Sequence, residues 1–254
     1  MNNKMVIANW KMQLSLKDSP QVFSEIKSGL PEKNKTQVII CPSFISLPEI
    51  SKLNKDSGID LGGQDVFWEE TGAYTGEISC SMLMDVGCKY VIIGHSDRRN
   101  YFKETNEMIH YKTRVSLGCG LTPIVCVGET YKERQEGKKE YVIVEQVVKA
   151  LSGIDIKDGQ IIVAYEPIWV IGSGQAIDPK EAEYMHSVIK KALVDIFSLS
   201  VVEKNFKIIY GGSINKDLVS GFMERQGIDG VLVGGASLTS KDFLGIVKKV
   251  NSIK

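Results

Sequence analysis

Eight short apolar runs alternate with longer amphipathic segments along the whole chain. Most of the runs are rich in β-branched residues and lack a polar position at every second place. Strands buried on both faces of a parallel sheet have this character, because neither face meets solvent. The predicted strands are Met5–Ala8, Gln37–Cys41, Ile59–Gly63, Tyr90–Ile93, Thr122–Val127, Ile161–Tyr165, Lys207–Tyr210 and Gly230–Val233.

The segments between these runs have the spacing of amphipathic helices. The clearest begins at Glu181 and ends at Phe197, with apolar residues at i, i+3, i+4 and i+7. Asp178 is the predicted N-cap, Pro179 suits the first turn, and Glu181 completes a capping-box pattern. Eight strand–helix units predict an α/β protein with a single (β/α)8 barrel domain over residues 1–254, and a doubly wound sheet is the alternative.

Composition adds to this picture mainly by excluding classes of protein. Lys plus Arg and Asp plus Glu each number 31, so the formal net charge is zero and no nucleic-acid partner is indicated. No apolar run approaches the roughly 20 residues of a membrane span, and the N-terminal residues lack the apolar core of a signal peptide. Five cysteines without a Cys-x-x-Cys pair, and three histidines without ligand spacing, predict a reduced cytoplasmic protein with no metal site.

Polar residues and glycines directly follow five of the predicted strands. In a (β/α)8 barrel the carboxyl ends of all strands meet at one rim, where the active sites of such barrels are built. Taken singly, these residues have ordinary roles, such as a solvated lysine, a hydrogen-bonded histidine or a glycine turn. Their convergence on one rim predicts a functional site made from Asn9, Lys11, His95–Arg99, Glu166, Gly211–Ser213, Gly234 and Gly235.

These residue types narrow the chemistry at the rim. Glycine turns after the seventh and eighth strands are typical phosphate sites, because backbone N–H groups can approach an anion closely there. Glu166 is suited to take a proton from a carbon next to a carbonyl group, and a neutral His95 at a helix start can donate a hydrogen bond to the carbonyl oxygen. Lys11 supplies positive charge where negative charge develops. Without a nucleotide-binding fingerprint, the sequence predicts cofactor-free proton transfer on a phosphorylated carbonyl compound.

A hinged lid is predicted directly after the carboxylate base. Pro167 and Trp169 are stiff, whereas Gly172 and Gly174 permit unusual backbone angles, so the segment can close over the rim and exclude water. Cys126 has two interpretations, a nucleophile or a buried structural thiol. No base neighbours it in the chain, so the supporting structural role is favoured.

Five segments together resemble the triosephosphate isomerase family over essentially the whole chain. They are Asn9–Lys11, Gly94–Arg99, Ala164–Trp169, Tyr210–Ser213 and Val233–Leu238. The resemblance implies interconversion of dihydroxyacetone phosphate and D-glyceraldehyde 3-phosphate through an enediolate, without a cofactor.

The resemblance also implies roles for individual residues. Glu166 would move the proton between two carbons, while neutral His95 would act at the oxygens. Lys11 and Asn9 would orient the substrate and stabilise the oxyanion. The phosphate would be held by the backbone N–H groups of Gly172, Ser213, Gly234 and Gly235. The apolar side chains of Ile171 and Leu232 would enclose the base.

A homodimer follows from the same resemblance. Members of the family associate through a loop that reaches into the partner subunit, and Thr71–Glu77 resembles that loop. Its Thr75 is expected beside the partner's Asn9 and Asp97. The predicted interface residues are therefore Thr75 and the ion pair between Glu77 and Arg98.

One position departs from the family pattern. Asp97 stands where the family usually has glutamate, so its side chain is one methylene, or about 1.5 Å, shorter. The sequence leaves open whether this carboxylate contacts Lys11 directly or through a water molecule.

Two other functions remain open from the sequence. Another phosphosugar barrel would share the glycine turns, but it would not share Asn-x-Lys, His and Glu-Pro-x-Trp together. A non-catalytic or moonlighting phosphate-binding barrel, acting as a scaffold or surface adhesin, would keep the fold. The complete set of rim residues argues against a loss of activity.

Overall fold

Eight parallel strands close into a barrel in the computed structural model, which describes residues 4–156 and 159–253. Each strand pairs with its successor in the chain, and the first also pairs with the eighth. The predicted (β/α)8 barrel is confirmed, and the doubly wound sheet was the wrong alternative because no open edge divides these strands. Residues 1–3, 157–158 and 254 of the predicted domain lie outside the described residues. The strands are β1 Met5–Asn9, β2 Gln37–Cys41, β3 Ile59–Gly63, β4 Cys88–Ile93, β5 Thr122–Val127, β6 Ile161–Tyr165, β7 Phe206–Tyr210 and β8 Gly230–Val233.

Helices surround the barrel on its outer face. None of those in the described residues is both long enough and apolar enough to cross a membrane. Two short 3₁₀ turns, Ile168–Val170 and Gly235–Ser237, lie at the rim. The helices are α1 Asp18–Gly29, α2 Leu47–Leu53, α3 Cys80–Asp85, α4 Ser96–Tyr101, α5 Asn106–Cys119, α6 Tyr131–Gln135, α7 Lys139–Leu151, α8 Pro179–Ile196, α9 Leu199–Asn205, α10 Val219–Met223 and α11 Ser240–Ser252.

The predicted helix from Glu181 is α8, and its start differs from the prediction in one respect. Asp178 Oδ1 accepts a hydrogen bond from the Lys180 N–H at 2.8 Å, as an N-cap should. The predicted capping box was wrong, because the Glu181 carboxylate binds Arg134 and also lies 3.2 Å from Lys139 Nζ. Two cations from neighbouring helices therefore replace the local backbone partner.

The strands bury both of their faces, which explains their unbroken apolar runs. Side chains at alternate positions fill the barrel interior, as Ile7 and Ile39 do, while Val6 and Val38 pack between the sheet and the helices. All four of these side chains are fully buried. Both layers favour branched apolar residues, so the sequence shows no alternation with polar ones.

A largely buried group of four charges joins the segment after β3 to α4 and α5. Lys112 Nζ on α5 lies 2.7 Å from an Asp65 oxygen and 2.9 Å from Glu104 Oε1. Arg98 on α4 is 2.8 Å from both the Asp65 and the Glu104 carboxylates. Lys112 and both carboxylates are buried, so each charge depends on its neighbours for compensation.

We expect Lys112→Met to lower the free energy of unfolding by about 3–5 kcal/mol, because it leaves two buried carboxylates with too little positive charge. Urea denaturation followed by circular dichroism measures this loss. Lys89→Met is the matched control, since Lys89 forms an exposed 2.8 Å pair with Asp60 and its loss should cost less than about 1 kcal/mol. Equal effects of the two substitutions would show that the buried carboxylates do not depend on Lys112 for charge compensation.

Candidate active site

A cavity of about 320 Å³ opens at the rim formed by the carboxyl ends of the strands. Residues from separate parts of the sequence line it because barrel closure brings the ends of β1, β4, β6, β7 and β8 together. The structure thereby brings most of the predicted site residues to one place, namely Asn9, Lys11, His95, Glu166, Ile171, Gly172, Ser213, Leu232, Gly234 and Gly235.

Two larger clefts lie near the opposite ends of the strands. One of about 560 Å³ is lined by Phe206 and Asp229, and another of about 900 Å³ by Thr122 and Gln160. These residues stand at or just before the amino ends of their strands. Catalytic residues of (β/α)8 enzymes come from the carboxyl ends, so the smaller cavity with its converging charged groups is the candidate site.

The turn after β1 directs Lys11 into the cavity. Lys11 has φ of 51°, in the left-handed region that residues with a side chain rarely adopt. Asn9 Oδ1 accepts a hydrogen bond from the Lys11 N–H at 3.1 Å, and Gln64 Nε2 donates to the Lys11 carbonyl at 2.9 Å. Strained backbone of this kind persists where its surroundings fix it. Gln64 was not predicted, although it directly follows β3 and the rim argument applies to it equally.

Asp97 contacts Lys11 without a bridging water. Its Oδ2 lies 3.0 Å from Lys11 Nζ. The shorter carboxylate therefore reaches the lysine directly, because Asp97 is in the first turn of α4, which begins at the rim. Asp97 does not itself line the cavity, so its contact with Lys11 lies outside the substrate-binding space.

His95 is the N-cap of α4, and this position determines its tautomer. Its Nδ1 accepts a hydrogen bond from the Asp97 N–H at 3.1 Å. A ring nitrogen that accepts a hydrogen bond carries no proton, so the proton lies on Nε2 and the imidazole is neutral. Nε2 is 3.2 Å from Glu166 Oε1. The histidine can therefore donate into the cavity.

Glu166 is buried at the end of β6, and two hydrogen-bond donors contact its carboxylate. Its Oε2 accepts from the Ser96 N–H at 3.2 Å, while its Oε1 faces His95. Cys126 lies behind it on β5, almost fully buried. Burial and then the charge of Glu166 raise the pKa of the Cys126 thiol. A thiol held protonated is a poor nucleophile, so the structure supports the packing role for Cys126.

The predicted lid begins beside Glu129, a residue that was not predicted as part of the site. Glu129 Oε1 accepts hydrogen bonds from Trp169 Nε1 at 3.0 Å and from the Tyr165 hydroxyl at 3.3 Å. Glu129 is fully buried, and burial raises its pKa. It follows β5 closely, so the same rim argument could have found it. At the exposed tip, Gly172 and Gly174 have φ of 73° and 74°, angles that favour glycine.

Glycine turns after β7 and β8 form the other wall of the cavity. A Cβ at Gly211 would lie 2.8 Å from Glu166 Cγ, so only glycine fits beside the base. The turn at Gly234 is closed by Ser237, whose N–H and hydroxyl both donate to the Gly234 carbonyl. Turns of this kind present backbone N–H groups to an anion.

The predicted interface residues lie outside the cavity of this chain. Thr75 and Glu77 are exposed in the segment between β3 and α3. Arg98 binds Asp65 and Glu104 of its own chain, each at 2.8 Å. The ion pair between Glu77 and Arg98 of different subunits stays a prediction.

Comparison with known proteins gives one consistent result. The family model described as triosephosphate isomerase matches residues 4–250. Triosephosphate isomerase of Dictyoglomus thermophilum is 46% identical over 252 residues, which is 98% of this chain and 100% of the relative. The Dictyoglomus turgidum enzyme is 44% identical with the same coverage, and that of Caldanaerobacter subterraneus subsp. tengcongensis is 42% identical over 97% of this chain and 99% of its own length. Similarity of this extent, on a closed barrel whose rim carries the family's residue types, means that the chain belongs to the triosephosphate isomerase family.

Proposed function

We propose that Glu166, His95 and Lys11 carry out the reaction of the family in the rim cavity. That reaction is the interconversion of dihydroxyacetone phosphate and D-glyceraldehyde 3-phosphate, an aldose–ketose isomerisation in glycolysis. The observation that carries the assignment is the neutral His95, whose Nε2 lies 3.2 Å from the buried carboxylate of Glu166. A base and a hydrogen-bond donor at this separation can act on neighbouring atoms of one substrate.

Binding of the phosphate orients the substrate. The N–H groups of Ser213, Gly234 and Gly235 hold the phosphate from the barrel side, and Gly172 adds its N–H from the lid. All four residues line the same cavity. Because these donors are backbone groups, the position of the phosphate does not depend on mobile side chains. The fixed phosphate places the carbonyl carbon and its neighbour between Glu166 and His95.

Proton transfer then needs no group beyond the substrate and the side chains. Glu166 exchanges its hydrogen bond to Ser96 for the substrate and takes a proton from the carbon next to the carbonyl. His95 donates from Nε2 to the carbonyl oxygen, and Lys11 stabilises the negative charge on the enediolate. Glu166 then returns the proton to the former carbonyl carbon, while His95 Nε2 protonates the former carbonyl oxygen and recovers the hydroxyl proton of the carbon that was deprotonated. That carbon becomes the new carbonyl carbon, which completes the isomerisation.

Closure of the lid protects this intermediate. An enediolate with a phosphate on the next carbon can expel that phosphate, and a lid that holds the phosphate in place opposes this loss. Ile171 from the lid and Leu232 from β8 both line the cavity, where they enclose Glu166 on closure. The Glu129 hydrogen bonds to Tyr165 and Trp169 hold the hinge while the tip moves.

The other candidate function has no observation in its favour. A non-catalytic scaffold or adhesin would need only the barrel and its outer surface. It gives no reason for a strained Lys11, a fixed His95 tautomer and a buried Glu166 to meet at one cavity.

A homodimer accounts for the surface around the segment between β3 and α3. Apolar side chains are exposed there and nearby, with Met12 95% and Phe102 68% accessible. A groove of about 220 Å³ between this segment and α4 is lined by Phe102, Glu77 and Arg98. Exposed apolar surface of this kind is typical of protein interfaces. Since Met12 adjoins Lys11, a partner's Thr75 seated here would also support the lysine.

The predicted cellular location is the cytoplasm. The five cysteines are free thiols in the structure. Free thiols agree with a reducing compartment.

We expect Glu166→Gln to lower kcat by about 10³-fold, because the amide keeps the shape of the side chain but cannot accept the proton. Affinity for inorganic phosphate should change little, since the phosphate binds to backbone N–H groups. A coupled isomerase assay and a phosphate-inhibition series measure the two effects. The exposed Glu224→Gln is the control, and near-normal turnover in Glu166→Gln would remove this carboxylate from the mechanism.

We expect Asp97→Ala to lower kcat by about 10-fold to 100-fold, since Lys11 loses the carboxylate 3.0 Å from its ammonium group. Asp97→Glu should restore turnover because it keeps the charge. Steady-state kinetics over a range of substrate concentrations separate kcat from KM. Wild-type kinetics in Asp97→Ala would show that Asp97 does not position Lys11.

We expect Thr75→Arg to convert the dimer into a monomer with reduced kcat, because a buried unpaired charge opposes association. Analytical ultracentrifugation measures the mass, and the isomerase assay at matched concentrations measures activity. Ser187→Arg on the exposed side of α8 is the control. A fully active wild-type monomer at assay concentration would contradict the predicted interface.

A further inference from the structure

Three potential metal ligands converge away from the substrate cavity. Cys80 is the first residue of α3, Cys119 is the last residue of α5, and Glu70 lies in the segment between β3 and α3. Both Sγ atoms and one Glu70 carboxylate oxygen lie within 4.8 Å of one another. Cys80 is buried and Glu70 is exposed, so the group opens to solvent on one side.

A hydrogen bond already joins two of these ligands. The Cys119 thiol donates to Glu70 Oε1 at 2.5 Å. Burial, followed by this hydrogen bond, raises the pKa of Cys119, and burial raises the pKa of Cys80. An ordinary cysteine thiol is already protonated at neutral pH. A cation that binds here must displace the protons of both thiols and can then occupy the space between the three atoms.

The ligand set favours zinc among common divalent cations. Two sulfurs with one carboxylate oxygen suit a tetrahedral zinc ion, whereas calcium and magnesium prefer oxygen ligands alone. At ordinary zinc bond lengths, the ligand atoms lie about 3.6–3.8 Å apart. The pair formed by Cys119 and Glu70 must then separate by about 1 Å, a movement that the exposed glutamate can make.

We propose that Glu70, Cys80 and Cys119 bind one zinc ion per chain, with a water molecule as the fourth ligand. Binding releases both thiol protons to solvent, so the affinity rises with pH. The ion joins the segment after β3 to the start of α3 and the end of α5. It should therefore stabilise the folded chain against unfolding.

This site is independent of the isomerase chemistry. In the part of the chain that the structure describes, the substrate cavity is lined by other residues, and none of these three contributes to it. Isomerase activity of the metal-free protein is thus a test of folding that does not depend on zinc. Conversely, a failed zinc titration would leave the assignment of Glu166, His95 and Lys11 intact.

The test is calorimetric titration of the full-length, metal-free protein with Zn²⁺ alone, in the presence of a phosphine reductant. Repeating it in buffers of different ionisation enthalpy counts the protons released. Wild type should bind one ion with release of two protons and should gain thermal stability. Cys119→Ser and Glu70→Gln should each weaken binding by at least about 10-fold.

Two matched controls separate the site from general metal binding. Cys88→Ala removes another buried thiol, and Glu69→Gln removes the adjacent exposed carboxylate. Both should keep wild-type zinc affinity, and all four variants should keep isomerase activity. The proposal is overturned if wild type binds no zinc, or if Cys119→Ser and Glu70→Gln bind it as tightly as the controls do.

Discussion

The first turn of α4 positions all three groups that we propose for the reaction. The Ser96 N–H binds one oxygen of Glu166, and the Asp97 N–H fixes the tautomer of His95. The Asp97 carboxylate binds the ammonium group of Lys11. Base, hydrogen-bond donor and cation come from three different strands, yet their relative positions depend on one short helix. A small rotation of this turn would misplace all of them together, which makes its attachment to the barrel the main constraint on the site.

Buried charges provide that attachment. Arg98 joins α4 to Asp65, while Lys112 joins the same carboxylate to α5. The next residue, Arg99, donates to the Gly94 and Cys126 carbonyls at 2.7 and 2.9 Å, which binds the turn to β4 and β5. A buried ion pair is seldom a strong source of stability compared with apolar packing. Its directional contacts, however, fix the helix orientation in a way that apolar side chains would not.

Much of this architecture could be predicted from sequence because each strand is buried on both faces. Barrel closure brings the strand ends together, and the proposed reacting groups therefore line one cavity, as the order of strands predicted. Prediction from sequence failed where a side chain takes a partner from a distant element. Glu181 binds Arg134 on α6 and forms no local cap. The sequence leaves open the direct contact between Asp97 and Lys11, because this contact depends on where α4 begins. Glu129 was missed for a similar reason, since its partners in β6 and the lid are set by tertiary packing.

The segment between β3 and α3 contains residues of both the proposed zinc site and the proposed dimer interface. Glu70 and Cys119 are separated by 49 positions, so ligand spacing in the chain could not indicate a zinc site. The same segment carries Thr75, the residue expected to enter the partner subunit. Zinc binding and dimer formation would therefore constrain the same segment of the chain. If zinc changes the dimer affinity through this segment, thermodynamic reciprocity requires dimerisation to change the zinc affinity by the same factor.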